Sequence, residues 1–273
     1  MNAFETCALS VRRGSRDVIR EVSIKLRVGE VVGVLGPNGA GKSSLLGAMA
    51  GELSARSGEV LIDGRSLAGL DALAQARIRA VLPQQAALTF DLALTDVIRM
   101  GAYPFAQATP AQVDDWVRQS VLDADLAHLE AARYGELSGG EAQRIQFARV
   151  LVQARAAAAA TGHAYILLDE PTSSLDPRHQ LFVMQRVHQL ARSENFGVLI
   201  VMHDINLAAQ WCSRIVLLNE GKVASDAPPT IALTPETLEQ VFGMPMRVLP
   251  HPLESQRILV LADVNGSSSS SAG

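Results

Sequence analysis

The sequence lacks the cysteines and the long apolar runs that mark several classes of protein. Its two cysteines, Cys7 and Cys212, are far apart and outside any metal-ligand spacing, which argues against a disulfide framework or a zinc site and fits a reducing compartment. No stretch approaches the roughly 18 uninterrupted apolar residues of a membrane-spanning helix. The first residues also lack the basic and apolar segments of a signal peptide, so any role at a membrane would require a partner subunit.

An excess of basic residues is also absent. The 273 residues include 24 Lys and Arg against 28 Asp and Glu, which gives a formal net charge of −4, and there is no long Lys/Arg block. This balance argues against a nucleic-acid partner. With 48% hydrophobic and 19% charged residues, the composition is that of a globular protein with a sizeable core.

Runs of apolar residues predict five strands. Residues 8–11 and 22–26 largely alternate apolar and polar side chains, as expected of a half-buried antiparallel sheet in an N-terminal subdomain. Continuous apolar runs over residues 31–35, 165–168 and 198–202 predict strands that are buried on both faces. Helical patterns separate these runs, which predicts an α/β fold in which helices flank a parallel sheet. In such a fold a ligand binds at the carboxyl ends of the strands.

The helical patterns divide the chain further. Residues of about 86–151 lack strong strand signals, which predicts an α-helical subdomain inserted into the α/β core. The Ala-rich run over 154–162 predicts an extended helix end and a loop without a chemical role. We expect a single domain over 1–265, a C-terminal extension over about 225–265 and a disordered tail over 266–273. The predicted helices are 42–50, 95–100, 110–129, 141–152, 179–192 and one that begins at Thr234-Pro235-Glu236.

A glycine-rich segment lies between a predicted strand and a predicted helix. It reads Gly36-Pro37-Asn38-Gly39-Ala40-Gly41-Lys42-Ser43 and matches G-x-x-x-x-G-K-[ST]; its context separates it from a chance glycine-rich turn. Glycines let the backbone turn its amides towards phosphate oxygens, and the following helix adds its positive dipole end. Lys42 would reach the β- and γ-phosphates, and the Ser43 hydroxyl would ligate Mg²⁺. The segment therefore predicts nucleotide binding.

Two acidic residues, Asp169 and Glu170, end the apolar run over 165–168. By itself such a pair is often only the solvated end of a strand. In a chain that also carries a phosphate loop, Asp169 would hold Mg²⁺ directly or through water. Glu170 would point towards the γ-phosphate and polarise the attacking water as a general base.

The segment Leu137-Ser138-Gly139-Gly140-Glu141 is by composition an ordinary loop before a helix, whose amides could bind an anion. Together with the motifs above, it resembles the ABC ATPase family. These motifs follow the family's order and spacing from Gly36 to His203. In the family's terms they are the Walker A motif (36–43), the Q-loop glutamine (Gln84), the signature (137–141), the Walker B motif (168–172), the D-loop (174–176) and the switch histidine (His203).

The resemblance implies a dimer in which two cassettes pack head to tail. Ser138 and Gly140 of one subunit would then contact the γ-phosphate held by the other. His203 would contact the same phosphate, although a histidine at the end of a buried strand is otherwise a satisfied core residue. The site residues implied are Glu170, His203 and Gln84 for catalysis; Gly36, Pro37, Asn38, Gly39, Ala40, Gly41, Lys42, Ser43, Ser44, Arg13, Ser138, Gly139, Gly140 and Asp176 for ATP; and Ser43, Gln84 and Asp169 for Mg²⁺.

One position departs from the family pattern. The family usually stacks adenine on an aromatic residue some two dozen positions before the phosphate loop, and that place holds Arg13. A guanidinium can stack on a purine, so binding would survive with a loosely held base. Phe4 is the alternative stacking residue. We therefore predict weak discrimination between ATP and GTP, which strict ATP preference in a hydrolysis assay would contradict.

The resemblance leaves two classes of function open, the energy subunit of an importer and a soluble ABC protein. One cassette and no heptad run favour the importer. We then expect a homodimer bound to two copies of a permease at the cytoplasmic face of the bacterial inner membrane, served by a periplasmic binding protein. Gln84 would link the catalytic site to the inserted helices, where the permease docks.

The cargo class also rests on resemblance. Three stretches resemble the haem importer ATPases: residues 79–84, residues 241–252 and the Ala-rich stretch before Asp169. This resemblance implies that the periplasmic partner is a haem-binding protein. Ferric-siderophore and cobalamin import are the alternatives. Met246 and His251 are potential haem ligands by residue type, but cargo is not expected to touch this subunit.

Overall fold

The computed structural model describes residues 2–84, 92–129 and 132–263. The chain forms two compact units. Unit 1 comprises Met1–Phe4, Leu26–Glu30 and Leu61–Ile200, and unit 2 comprises Glu5–Lys25, Val31–Val60 and Val201–Gly273.

The described residues contain both strands and helices. The strands are β1 (Ala3–Arg13), β2 (Arg16–Arg27), β3 (Val31–Leu35), β4 (Ser57–Ile62), β5 (Arg65–Ser66), β6 (Arg79–Leu82), β7 (Ala164–Asp169), β8 (Phe196–Val201), β9 (Arg214–Asn219), β10 (Lys222–Ala227), β11 (Met246–Pro250) and β12 (Ile258–Ala262). The helices are α1 (Lys42–Met49), α2 (Ala72–Ala76), α3 (Leu94–Arg99), α4 (Pro110–Asp123), α5 (Gly139–Thr161), α6 (Pro177–Ser193), α7 (Ile205–Trp211), α8 (Pro229–Ala232) and α9 (Pro235–Phe242).

Unit 2 contains the strand that leads into the glycine-rich segment. All five residues of β3 are buried, as the continuous apolar run predicts. It pairs in parallel with β9, with Val32 opposite Arg214 and Leu35 opposite Leu217. Strand β9 was missed by the sequence analysis, although its central residues 215–218 form a continuous apolar run that is fully buried. Beyond β9 the strand order continues to the antiparallel β10.

Unit 1 contains the strand that carries the acidic pair. Strands β8, β7 and β6 lie side by side in that order, and β6 pairs with β7 in parallel. Every residue of β7 and of β8 is buried. The α/β fold class with parallel strands and flanking helices is therefore confirmed. Asp169 is the last residue of β7, at the edge where a ligand is expected.

The helices of the middle segment differ from their predicted bounds. Helix α4 begins at Pro110, after a capping box formed by Thr109 and Gln112. It ends at Asp123 rather than at 129, because Asp125 adopts a positive φ of 53°, which α-helical geometry does not allow. A short 3₁₀ turn, Ala127–Leu129, follows.

The loop predicted within the Ala-rich run is wrong. Helix α5 is continuous over 23 residues and ends only at Gly162, where φ is 87°. Alanine has the highest helix propensity, and Ala154, Ala156 and Ala157 are buried. The helical pattern over 141–152 and the alanines therefore belong to one element.

The C-terminal region of unit 2 is ordered over its described residues. Helix α9 begins as predicted, with Thr234 accepting a hydrogen bond from the amide of Thr237 and with Pro235 in the first turn. Strands β11 and β12 form an antiparallel hairpin, which the sequence analysis did not predict. The predicted tail over 266–273 lies outside the described residues, and the division into a domain, an insertion and an extension stays a prediction. Within the described ranges, no helix has the length and apolar character to cross a membrane.

Candidate nucleotide-binding site

The glycine-rich segment forms the loop between β3 and α1 in unit 2. Gly36 and Gly41 have φ values of 148° and 105°. A Cβ atom at Gly36 would lie 2.1 Å from the carbonyl oxygen of Leu218, and one at Gly41 would lie 2.5 Å from that of Val18. Both positions therefore require glycine on steric grounds as well as on conformational ones.

Lys42 is buried inside this loop, with a residual exposure of 6%. Its Nζ donates hydrogen bonds to the carbonyl oxygens of Gly36 and Pro37, at 2.8 and 3.1 Å. A buried ammonium group attracts negative charge, and a phosphate group is an anion that it can bind with strong, charge-assisted hydrogen bonds. The backbone amides in the first turn of α1 have no acceptor within the helix and point along the helix axis towards the loop, where they can also bind an anion. The residues present thus fit a polyphosphate.

Ser43, Ser44 and His203 are further predicted site residues in unit 2. Ser43 is exposed and Ser44 is buried in the first turn of α1. His203 lies two residues beyond β8, and the neighbouring amide of Met202 donates to the carbonyl oxygen of Val34 at 3.1 Å. This bond places His203 beside the end of β3, from which the loop departs. The side chain is exposed, so it is not a core histidine.

The predicted base-stacking residue, Arg13, is exposed at the end of β1. Its neighbours are engaged, since Arg12 and Arg56 donate to Asp17 at 2.9 and 2.6 Å and lower the pKa of that carboxyl group. Arg13 itself makes no ion pair with any residue that the structure describes. The alternative stacking residue, Phe4, is fully buried, which contradicts that assignment.

In unit 1 the predicted catalytic residues Gln84 and Glu170 are in contact. Gln84 Nε2 donates a hydrogen bond to Glu170 Oε2 at 3.1 Å. Glu170 has a positive φ of 51°, which is unusual for a residue with a side chain and typical of functional sites. The preceding Asp169 is 7% exposed. The end of β7 therefore presents one buried carboxylate and one that an amide group orients.

Gln143 is a site residue that the sequence analysis missed. Its Nε2 donates to the carbonyl oxygen of Glu170 at 2.9 Å, and its Oε1 accepts from the amide of Ser174 at 3.2 Å. The side-chain amide thus joins helix α5 to the two ends of the turn after β7. The sequence offered only a weak signal for Gln143, which is an uncharged polar residue within the first two turns after Ser138.

Ser138 is the N-cap residue of α5 and forms a capping box with Glu141. Its hydroxyl and its amide donate to Glu141 Oε2 at 2.6 and 2.8 Å. These two bonds lower the pKa of the Glu141 carboxyl group. The predicted anion-binding loop is therefore preformed, with its serine hydroxyl engaged by a carboxylate.

The signature loop and the start of α6 face one cavity of about 780 Å³. Ser138, Gly139 and Gly140 line one side, and Asp176 lines the other. The structure thus brings together the predicted residues of the signature and the D-loop. Ionisable side chains of this cavity that were not predicted include those of Asp125, Arg144, Arg178 and His179. Arg144 and His179 each lie three residues beyond a motif residue, but the motifs do not include them, so the sequence analysis gave no signal for them.

A family model and several relatives match this chain. The family model described as ABC transporter matches residues 19–173. The chain is 49% identical to the hemin import ATP-binding protein HmuV of Bordetella avium strain 197N, over 93% of this chain and 97% of that protein. It is 45% identical to the HmuV protein of Pseudomonas fluorescens strain Pf0-1, over 92% and 97% of the two chains.

Solved structures show the same fold. An ABC transporter assigned to the metal-chelate type, in an inward-facing conformation, matches with a TM-score of 0.78 and 24% identity over 96% of this chain and 97% of that chain. A dimeric bacterial ABC transporter cassette, MJ0796, matches with a TM-score of 0.72 and 25% identity over 83% and 98% of the two chains. The motif geometry, the family model and the relatives agree: the chain belongs to the ABC transporter family and is one of its ATP-binding, ATP-hydrolysing cassettes.

Proposed function

We propose that this chain is the ATP-hydrolysing subunit of a bacterial hemin importer. The observation that carries the hydrolytic part is the end of β7, where Gln84 donates to Glu170 Oε2 at 3.1 Å beside the buried Asp169. The hemin assignment is supported by 49% identity over 93% of the chain to a hemin import ATP-binding protein.

Hydrolysis in this proposal depends mainly on positioning and electrostatics. The loop amides and Lys42 bind the phosphates of ATP, and the exposed His203 contacts the γ-phosphate. Glu170 polarises the attacking water, and Gln84 orients the Glu170 carboxylate. Ser43, Gln84 and Asp169 would hold Mg²⁺, which when bound neutralises phosphate charge. Arg13 provides the surface against which the base packs.

In this proposal the subunit forms a dimer because its signature loop has no phosphate-binding partner within the same cavity. Ser138, Gly139, Gly140 and Asp176 line a cavity that holds no phosphate-binding lysine of its own among its lining residues. In a head-to-tail homodimer these residues meet the nucleotide of the partner subunit. The two cassettes act with two permease subunits at the cytoplasmic face of the inner membrane, and a periplasmic protein delivers hemin to the permease.

The test is reconstitution of the chain with its permease in lipid vesicles, followed by ATPase assays with binding proteins loaded with hemin, ferric siderophore or cobalamin. We expect the hemin-loaded protein to stimulate hydrolysis. Lys42→Ala should weaken nucleotide binding, whereas Glu170→Gln should bind ATP, trap a closed dimer and lose turnover by at least about 100-fold. Stimulation by another cargo would overturn the hemin assignment, and wild-type turnover in Glu170→Gln would overturn the role of Glu170.

A further inference from the structure

The carboxylate of Glu141 occupies donors that the signature loop would offer to an anion. The backbone amide and the hydroxyl of Ser138 both donate to Glu141 Oε2, at 2.8 and 2.6 Å. In return the amide of Glu141 donates to Ser138 Oγ at 3.4 Å. The side chain of Glu141 therefore takes the place of a bound anion at the N-terminus of α5.

A phosphate group and the Glu141 carboxylate compete for the same donors. A serine hydroxyl carries one proton, and that of Ser138 is directed at Glu141. In this state the hydroxyl offers a phosphate oxygen only its lone pairs. The negative charge of Glu141 is a second obstacle, because like charges that lie close together repel. The signature loop is therefore closed to phosphate as long as Glu141 caps it.

Arg144 offers the carboxylate another place. It lies three positions beyond Glu141 on α5, is 4% exposed and lines the same cavity as the signature loop. Its Nε and Nη1 atoms make no hydrogen bond with any residue that the structure describes. Buried donors without an acceptor are unfavourable, because they lose their hydrogen bonds to water without replacement. The guanidinium group can therefore accommodate a further acceptor.

Glu141 is an acceptor within reach of Arg144. Residues three positions apart are neighbours on the surface of a helix. Hydrogen bonds from Ser138 are the main cause of the low pKa of the Glu141 carboxyl group, and the positive charge of Arg144 lowers it further. Charge-assisted bonds to the guanidinium group would replace the two bonds that Glu141 gives up when it leaves Ser138.

Two other carboxylates line the cavity, those of Asp125 and Asp176. Asp176 accepts a hydrogen bond from the amide of His179 at 3.0 Å and lies 2.7 Å from its Nδ1. Asp125 Oδ2 lies 3.7 Å from Arg144 Nη1 and 3.6 Å from His179 Nε2, and both distances are too long for a hydrogen bond. Asp125 therefore attracts Arg144 and leaves its donors available to Glu141.

We propose that Glu141 is a gate on the signature loop. Its carboxylate caps Ser138 in the free subunit and moves to Arg144 when the γ-phosphate held by the partner subunit takes its place. This inference rests on the proposed function, in which Ser138 meets the nucleotide across a head-to-tail dimer. Glu141 raises the ATP concentration that dimer closure requires, and Arg144 lowers it by receiving the carboxylate. Both are positioning residues, because they act through the Ser138 hydroxyl.

The test measures ATP-dependent dimerisation of the full-length chain carrying Glu170→Gln, which by the proposed function binds ATP without turnover. Analytical ultracentrifugation over a titration with ATP and Mg²⁺ gives the ATP concentration at which half of the chain is dimeric. Glu141→Gln keeps a capping side chain without its charge, and we expect this concentration to fall about tenfold. Arg144→Met has no donors to receive the carboxylate, and we expect the concentration to rise about fivefold.

The double variant shows whether Arg144 acts through Glu141. In the Glu141→Gln background, Arg144→Met should change the required ATP concentration by less than about twofold, because no carboxylate is left to receive. A direct contact between Arg144 and the nucleotide would instead give the same loss in both backgrounds. Arg144→Lys retains a positive charge and should recover most of the loss.

The controls separate the gate from a change in net charge. Arg178→Met removes another positive charge from the same cavity, at a side chain that is 84% exposed. Glu136→Gln removes an exposed negative charge two residues before Ser138. Both should stay within about twofold of the parent. The affinity of the monomer for ATP should not change in any of these variants, because the gate acts across the dimer. Thermal melts show whether each variant folds.

A folded Glu141→Gln variant that needs as much ATP as its parent overturns the gate, and this result decides alone where Arg144→Met does not fold. An Arg144→Met loss that persists in the Glu141→Gln background also overturns it, as do control variants that reproduce the effects. These results leave the proposed function intact. If the parent forms no dimer at any ATP concentration, the head-to-tail dimer of the proposed function fails together with the gate.

Discussion

The phosphate loop of unit 2 and the carboxylate site of unit 1 are built in different ways. The loop is one contiguous segment whose shape depends on glycine and on main-chain atoms, with Lys42 turned onto the carbonyl groups of Gly36 and Pro37. The carboxylate site is assembled by side chains from distant segments, since Gln84 and Gln143 both bind Glu170. The loop is thus specified locally, and the carboxylate site depends on tertiary packing.

This difference explains how far each region tolerates change. In the loop a single methyl group collides with backbone atoms that cannot move away, as the 2.1 Å distance at Gly36 indicates. In the carboxylate site most contacts are single hydrogen bonds, each of which contributes about 1 kcal/mol to stability. Substitutions in the loop should therefore destabilise the fold. Substitutions at the carboxylate site should mainly displace the catalytic side chains and have a smaller effect on stability.

The largest effect is expected from Gly36→Ala. Its Cβ would lie 2.1 Å from the carbonyl oxygen of Leu218, and φ is 148°. We expect the free energy of unfolding to fall by about 4 kcal/mol or more. Gly39→Ala is the matched control, because φ is 81° but nothing lies within 4 Å of its Cβ. It should cost about 1 kcal/mol. Urea unfolding of both variants measures the difference, and equal losses would contradict the steric explanation.

Gln143→Ala should have an intermediate effect. The change removes the bond to the carbonyl oxygen of Glu170 and the bond from the amide of Ser174. We expect stability to fall by about 1–3 kcal/mol and kcat by about tenfold, because Glu170 loses a contact that orients it. Gln189→Ala, at an exposed position of α6, is the control and should match wild type. Loss of stability with unchanged kcat would make Gln143 a structural residue only.

The smallest effect concerns the cap of α5 and depends on pH. Bonds from Ser138 lower the pKa of Glu141, so they stabilise the fold above the unfolded-state pKa of about 4.3 and lose this contribution as the pH falls through the lower folded-state value. Ser138→Ala should cost about 1 kcal/mol at pH 7. The deficit should shrink in acid, as measured by urea unfolding, whereas Ser138→Thr should keep the cap. A deficit that stays constant with pH would contradict the carboxylate's part in it.

Sequence patterns predicted the elements whose signals are local. The continuous apolar runs predicted β3, β7 and β8 to within two residues at each end, because strands buried on both faces need apolar side chains throughout. The end of α4 was predicted six residues too late, because the positive φ of Asp125 leaves no mark in an otherwise helical pattern. Helix α5 was divided wrongly because low complexity was interpreted as a loop, although alanine favours helix.

Several features could not be predicted from one sequence. Strands β11 and β12 pair with each other only in the fold, although β12 is itself a continuous apolar run of five residues that the sequence analysis missed. The same holds for Gln143 and His179, which are ordinary polar residues until packing brings them to Glu170, Asp176 and Asp125.

The sequence by itself determined the family, the phosphate loop and the acidic pair, because each motif consists of residues within a few positions of one another and the motifs follow a fixed order along the chain. Only the tertiary structure decided that Gln84 and Gln143 both bind Glu170 and that His179 lies between two carboxylates. A hydrogen bond weakens when the distance between its donor and acceptor changes by a few tenths of an ångström. For residues in distant segments, only the fold sets that distance.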